Sequence, residues 1–229
     1  MKNLKYLILI LILCNIPSYL LAYFGSTLGA ISSQMSSLLL IAYFINTKKK
    51  HKPLILYVLL GISYFTIGSL NYSGTFSQDL IKEFIRFMIV VICGLEIMYK
   101  STKKEIFFIS LIGALSIIIN ALIFPLANAN FYPTYGRYSG FYLNPNFAGT
   151  ICLIGFALSY SLDNIKLKIL GQIIFTLAGI LTFSRTFIAI WLVINIISIF
   201  KSKKNIIAPL SGALVLILIF TLSGGLTLN

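Results

Sequence analysis

The sequence predicts an all-α fold: a polytopic transmembrane helical bundle of about nine spans, forming one domain over 1–229, with a cytoplasmic N-terminus and a C-terminus on the outer side. Three observations predict it. Of the 229 residues, 59% are hydrophobic and only 10% are charged, where a soluble domain carries roughly 25% charged residues. Apolar runs close to the roughly 20 residues needed to cross a bilayer recur along nearly the whole chain. Lysine clusters alternate with uncharged breaks between those runs.

The apolar runs fall at about 4–24, 28–46, 53–70, 80–99, 106–124, 145–162, 168–183, 186–200 and 206–222. The first begins like a signal peptide, with "MKNLKYLILILILCNIP". Its apolar stretch continues past Pro17 to about Phe24 without a small-x-small cleavage site, so it reads as a retained span. The seventh and eighth runs are short, which demands tilt, local thinning of the bilayer or a shared polar cavity.

Lys2 and Lys5 precede the first run, and Lys48, Lys49, Lys50 and Lys52 follow the second. Lys100, Lys103 and Lys104 follow the fourth, Lys166 and Lys168 the sixth, and Lys201, Lys203 and Lys204 the eighth. All of these fall on one side, which the positive-inside bias makes the cytoplasm. The opposite breaks are "FGST", "NYSGTFSQ", the loop 125–144, "SR" at 184–185 and the tail "SGGLTLN". The formal charge of +13 is accounted for by this bias. The partner it implies is the membrane, with no nucleic acid.

Cys14, Cys93 and Cys152 all lie inside apolar runs and form no CxxC spacing, so neither a disulfide framework nor a metal site is expected. His51, in "KKKHKP", has no partner ligand near it in sequence. No cofactor is expected.

The three arginines, Arg86, Arg137 and Arg185, fall on the outer side, accompanied there by Lys82. Cations there run against the topogenic bias. The guanidinium fork suits bidentate grip on phosphate or carboxylate, whereas the plainer reading has each arginine snorkelling to the headgroups.

The stretch "RYSGFYLNPNFAGT" runs from Arg137 to Thr150. Asn144 is a good helix cap, Pro145 suits the first helical position, and Asn146 opens the sixth run. That run starts at the outer face, so its free N–H groups and positive dipole end make an anion site. Arg137 lies in a loop loosened by Gly136 and Gly140 and is expected to fold back onto it. "LTFSRTFIAI" repeats the arrangement, with Ser184 as cap and Arg185 in the first turn. The fourth run opens "GTFSQDLIKEFIRF", with capping-box spacing at Thr75 and Gln78. Asp79, Lys82, Glu83 and Arg86 then share one face, either as a mutually neutralising ladder or with Arg86 facing a cavity shared with Arg137 and Arg185. Glu96 is expected to pair with Lys100. No histidine and no well-placed carboxylate pair serves the outer side as a general base.

At these residues the sequence resembles the O-antigen ligase and O-antigen polymerase superfamily of bacterial membrane proteins. The carrying residues are Arg137, Ser139-Gly140, Asn144-Pro145-Asn146 and Ser184-Arg185, within a family-like core over 130–200. The resemblance implies a multi-pass protein of the bacterial inner membrane. It would handle glycans linked to undecaprenyl diphosphate at the periplasmic face for surface polysaccharide assembly. Arg137, Arg185 and Arg86 would then bind the diphosphate, with Asn144, Pro145, Asn146, Gly140 and Ser184 shaping the site. The acceptor would be lipid A-core or another glycan. Family members continue into a large periplasmic loop with a required histidine and then further spans. Here no histidine follows His51, so the chain is expected to be a truncated member lacking the catalytic part. Two other readings stay open: a non-catalytic membrane partner, and a transporter or flippase of lipid-linked oligosaccharide.

Overall fold

The computed structural model describes residues 2–48, 51–70, 77–122, 137–210, 212–214, 217 and 221, and all regular structure among them is helical. Packing divides the chain into two units: residues 1–12 with 20–102, and residues 13–19 with 103–229.

The first unit contains α1 (Lys2–Leu13) up to Ile12, most of α2 (Ile16–Phe24), α3 (Ser26–Ile45), α4 (Ile55–Leu70), α5 (Ser77–Ile89) and α6 (Leu95–Tyr99). The expected first span is a broken pair, α1 and α2, bent by 59°. The cause is local. Asn15 takes the left-handed conformation (φ 52°), and Pro17 lacks an N–H while its ring excludes a helical carbonyl at Leu13. The fourth run stays helical, α5 passing into α6 through one wide π turn, Val90–Gly94. Gly61 of α4 receives the ring of Phe87 on α5, and Phe65 meets Phe84 edge to face, with centroids 5.2 Å apart.

At the lysine-bearing end of this unit, Glu96 is only 1% exposed. Its carboxylate accepts the His51 backbone N–H at 2.8 Å and lies 3.1 Å from His51 Nδ1. Lys100 Nζ stands 3.3 Å from the other oxygen, the ion pair its spacing leads one to expect. The His51 ring stacks on Tyr99 with centroids 4.3 Å apart. His51 therefore does have a partner, one 45 residues away in sequence and invisible to local spacing.

The second unit is a bundle of α7 (Lys103–Leu122), α8 (Pro145–Ser159), α9 (Ile165–Leu181) and α10 (Arg185–Lys201). Its core is a run of rings, Phe107, Phe156, Phe175, Phe187 and Trp191. Glycines are the sockets: Gly155 of α8 receives Phe175, Gly171 of α9 receives Phe107, and Gly179 of α9 receives Phe187. Small residues opposite large ones let helices approach closely where lipid supplies no hydrophobic drive between them. One buried polar bridge, Trp191 Nε1 to Thr176 Oγ1 at 3.1 Å, joins α10 to α9.

By length and composition, α3 and α7 are able to cross a membrane, and the bent pair α1–α2 makes a third candidate. The chain thus has the marks of a membrane protein.

Candidate functional site

The loop 137–144 is pinned on several sides within the second unit. Tyr138 donates its N–H to Leu181 O at 3.1 Å, at the end of α9. Arg137 donates from Nε to Thr182 O at 3.0 Å and from Nη2 to Asn146 Oδ1 at 2.9 Å. One guanidinium therefore ties the C-terminal end of α9, where the dipole is negative, to the first turn of α8. Arg137 does fold back onto that turn.

Gly140 serves close approach as well as flexibility. It sits at φ 54°, and a Cβ there would collide with Ser116 Oγ and lie 2.8 Å from the backbone nitrogen of Ile117. The loop consequently docks flat on α7, with Phe141 N–H to Ser116 Oγ at 3.3 Å and Gly140 N–H to Asn120 Oδ1 at 3.4 Å. Tyr142 is buried, and its hydroxyl fits against the α7 backbone at Gly113. Burial pushes that hydroxyl's pKa well above the ordinary tyrosine range, so it stays neutral.

Two helices begin here side by side. Asn144 caps α8, its side chain accepting from the N–H groups of Asn146 and Phe147, and Pro145 follows at the first helical position. Ser184, fully buried, caps α10 by accepting from Phe187 N–H at 3.3 Å. A Cβ on Gly149, in the second turn of α8, would lie 2.9 Å from Ser184 Cβ and 3.2 Å from Phe187 Cβ, so α8 packs there against the capped start of α10. Arg185 opens α10 and is exposed. Leu143 (φ 59°) and Phe183 (φ 48°), the residues just before the two caps, are both left-handed. Strained non-glycine backbone of this kind collects at functional sites.

The electrostatics favour an anion. Two positive helix ends and two arginines meet at one end of the bundle. The unit's two carboxylates, Glu105 and Asp163, lie at the start of α7 and beyond the end of α8. Those are the far ends of these helices, about 22 Å away along α8. Among the described residues no group of His, Cys, Asp and Glu has the makings of a metal site.

No protein-family model, curated protein or solved structure matches this chain.

The remaining expectations divide. Arg86 belongs to the other unit, where it pairs with Glu83, three residues earlier on α5. That pair is the self-neutralising ladder in part. Thr75 and Gly136 lie outside the described residues, as do the side chains of Gln78 and Asp79. Sequence reading missed Ser116, Asn120, Thr182 and Asn15, which hold the loop in place. The available signal was isolated polar residues inside otherwise apolar runs, a pattern that also fits ordinary helix–helix bonds.

Proposed function

We propose that this chain is a multi-pass protein of the bacterial inner membrane, of the O-antigen ligase or polymerase type. In this reading it binds the diphosphate of an undecaprenyl-linked glycan at the periplasmic face. The observation that carries it is the packing of α8, at Gly149, against the capped start of α10, with Arg137 fixed beside the first turn of α8 by its bonds to Asn146 and Thr182. The N–H groups at the start of α8, expected to be free, are engaged by Asn144. It is the positive dipole ends of the two helices that, with the guanidinium groups, suit a phosphate-rich head group. The alternating lysine clusters support about nine spans with the N-terminus in the cytoplasm and this end of the bundle outside.

The chemistry of such a site acts on the leaving group. As the acceptor oxygen joins the anomeric carbon, its proton passes to solvent and the bond between sugar and diphosphate breaks. The diphosphate leaves with the bonding pair, so charge builds on it. Arg137 and Arg185 neutralise it, already in position before the reaction begins. The acceptor is lipid A-core or another glycan unit.

The test is binding of a prenyl diphosphate to the purified chain, compared with Arg137→Ala and Arg185→Ala. Each variant should weaken binding by about tenfold or more, the scale of one charge-assisted bond. Unchanged affinity in both would remove the proposal.

A further inference from the structure

The break between α1 and α2 packs with the unit that holds the site. Residues 13–19 belong there, while the chain on either side packs with the other unit. Cys14 Sγ lies 3.8 Å from Ile109 O on α7. The Tyr19 ring meets Phe141 edge to face at 5.3 Å. Between these contacts, Asn15 Nδ2 donates to Tyr142 O at 3.3 Å. Ser18 Oγ donates to Asn15 Oδ1 at 2.8 Å, which orients the amide: its oxygen is turned to Ser18, so its nitrogen faces Tyr142.

Among the described residues, the non-glycine positions with positive φ are Asn15, Leu143 and Phe183. Leu143 directly follows the carbonyl that Asn15 holds. Phe183 directly follows the carbonyl that holds Arg137. Such backbone persists only where surrounding contacts over-determine it.

We propose that Asn15 is a positioning residue of the diphosphate site, an inference that rests on the diphosphate reading above. It grips the Tyr142 carbonyl where the chain turns, through Leu143, into α8. The same carbonyl accepts the Asn144 N–H at 2.6 Å. Asn144 caps α8, and Asn146 in that first turn holds Arg137. Releasing Tyr142 lets the cap and the arginine shift together. Asparagine suits the place because it tolerates the left-handed region and carries a donor and an acceptor on one short side chain.

The experiment uses the full chain in detergent micelles, titrated calorimetrically with geranylgeranyl diphosphate, with thermal unfolding measured alongside. Asn15→Gly keeps the left-handed backbone accessible and removes only the amide. It should weaken binding about fivefold, with a melting temperature within about 3 °C of wild type. Ser18→Ala, which lets the amide turn, should weaken binding about twofold. The double variant should bind no worse than Asn15→Gly, because both act through one bond.

Wild-type affinity in Asn15→Gly, with Arg137→Ala still weakened, overturns the positioning role alone. Wild-type affinity in Arg137→Ala and Arg185→Ala overturns the diphosphate reading and this inference with it. An affinity loss that merely follows a large drop in melting temperature makes Asn15 a structural prop and also overturns the role. Should Asn15→Gly fail to fold, Ser18→Ala decides, and unchanged affinity there counts against the proposal.

Discussion

Arg137 reaches nine residues forward to Asn146, Nη2 to Oδ1 at 2.9 Å, while its Nε holds the Thr182 carbonyl 45 residues away. A single side chain thus joins the ends of α8 and α9 through two bonds whose directions differ. Arg137→Lys keeps the charge and loses the fork, so one of the two bonds must go. It should destabilise the chain by about 1 kcal/mol and lower the melting temperature by about 2–4 °C. Differential scanning fluorimetry in detergent reads this directly, and a wild-type melting point for the lysine variant would mean that the fork carries no structural weight.

The glycines divide by what surrounds them. Gly140→Ala meets both a left-handed backbone and the Ile117 nitrogen 2.8 Å away, and should cost about 1–3 kcal/mol. Gly68, within α4, has open space within 4 Å of where a Cβ would stand, and its φ is not positive. Gly68→Ala should be neutral or stabilise by up to about 1 kcal/mol, from helix propensity. Equal effects at the two sites, measured by thermal or denaturant unfolding, would show that the 137–144 loop is not packed on α7.

Glu96 is buried with three donors around it, from His51 and Lys100. His51→Ala removes the ring bond and the stack on Tyr99 but leaves the backbone N–H in place. A loss of about 1–2 kcal/mol is expected. In a double-mutant cycle with Glu96→Gln the two losses should be strongly non-additive. Strict additivity would separate the two residues.

Topology is open to chemical labelling. Lys52→Cys should resist a membrane-impermeant thiol reagent in intact cells, while Ser73→Cys, in the opposite break, should react. The native thiols Cys14, Cys93 and Cys152 are buried and make a quiet background. The reverse pattern would invert the orientation and place the α8 and α10 starts on the cytoplasmic side.

The sequence by itself determined the helical membrane character, from apolar runs whose length matches a bilayer, and the capped starts of α8 and α10. Caps are legible because they are local: Asn144 and Ser184 bond backbone N–H groups two or three residues ahead. Only the tertiary structure decided that Arg137 meets Thr182, that Asn15 meets Tyr142 and that His51 meets Glu96. Those partners are 45, 127 and 45 residues apart. No periodicity encodes such pairs, because they depend on which helices stand side by side. In the second unit the helices meet through rings entering glycine sockets, Phe175 at Gly155, Phe107 at Gly171 and Phe187 at Gly179. Shape complementarity between distant segments sets that pairing, and a one-dimensional pattern of apolar residues leaves it undetermined.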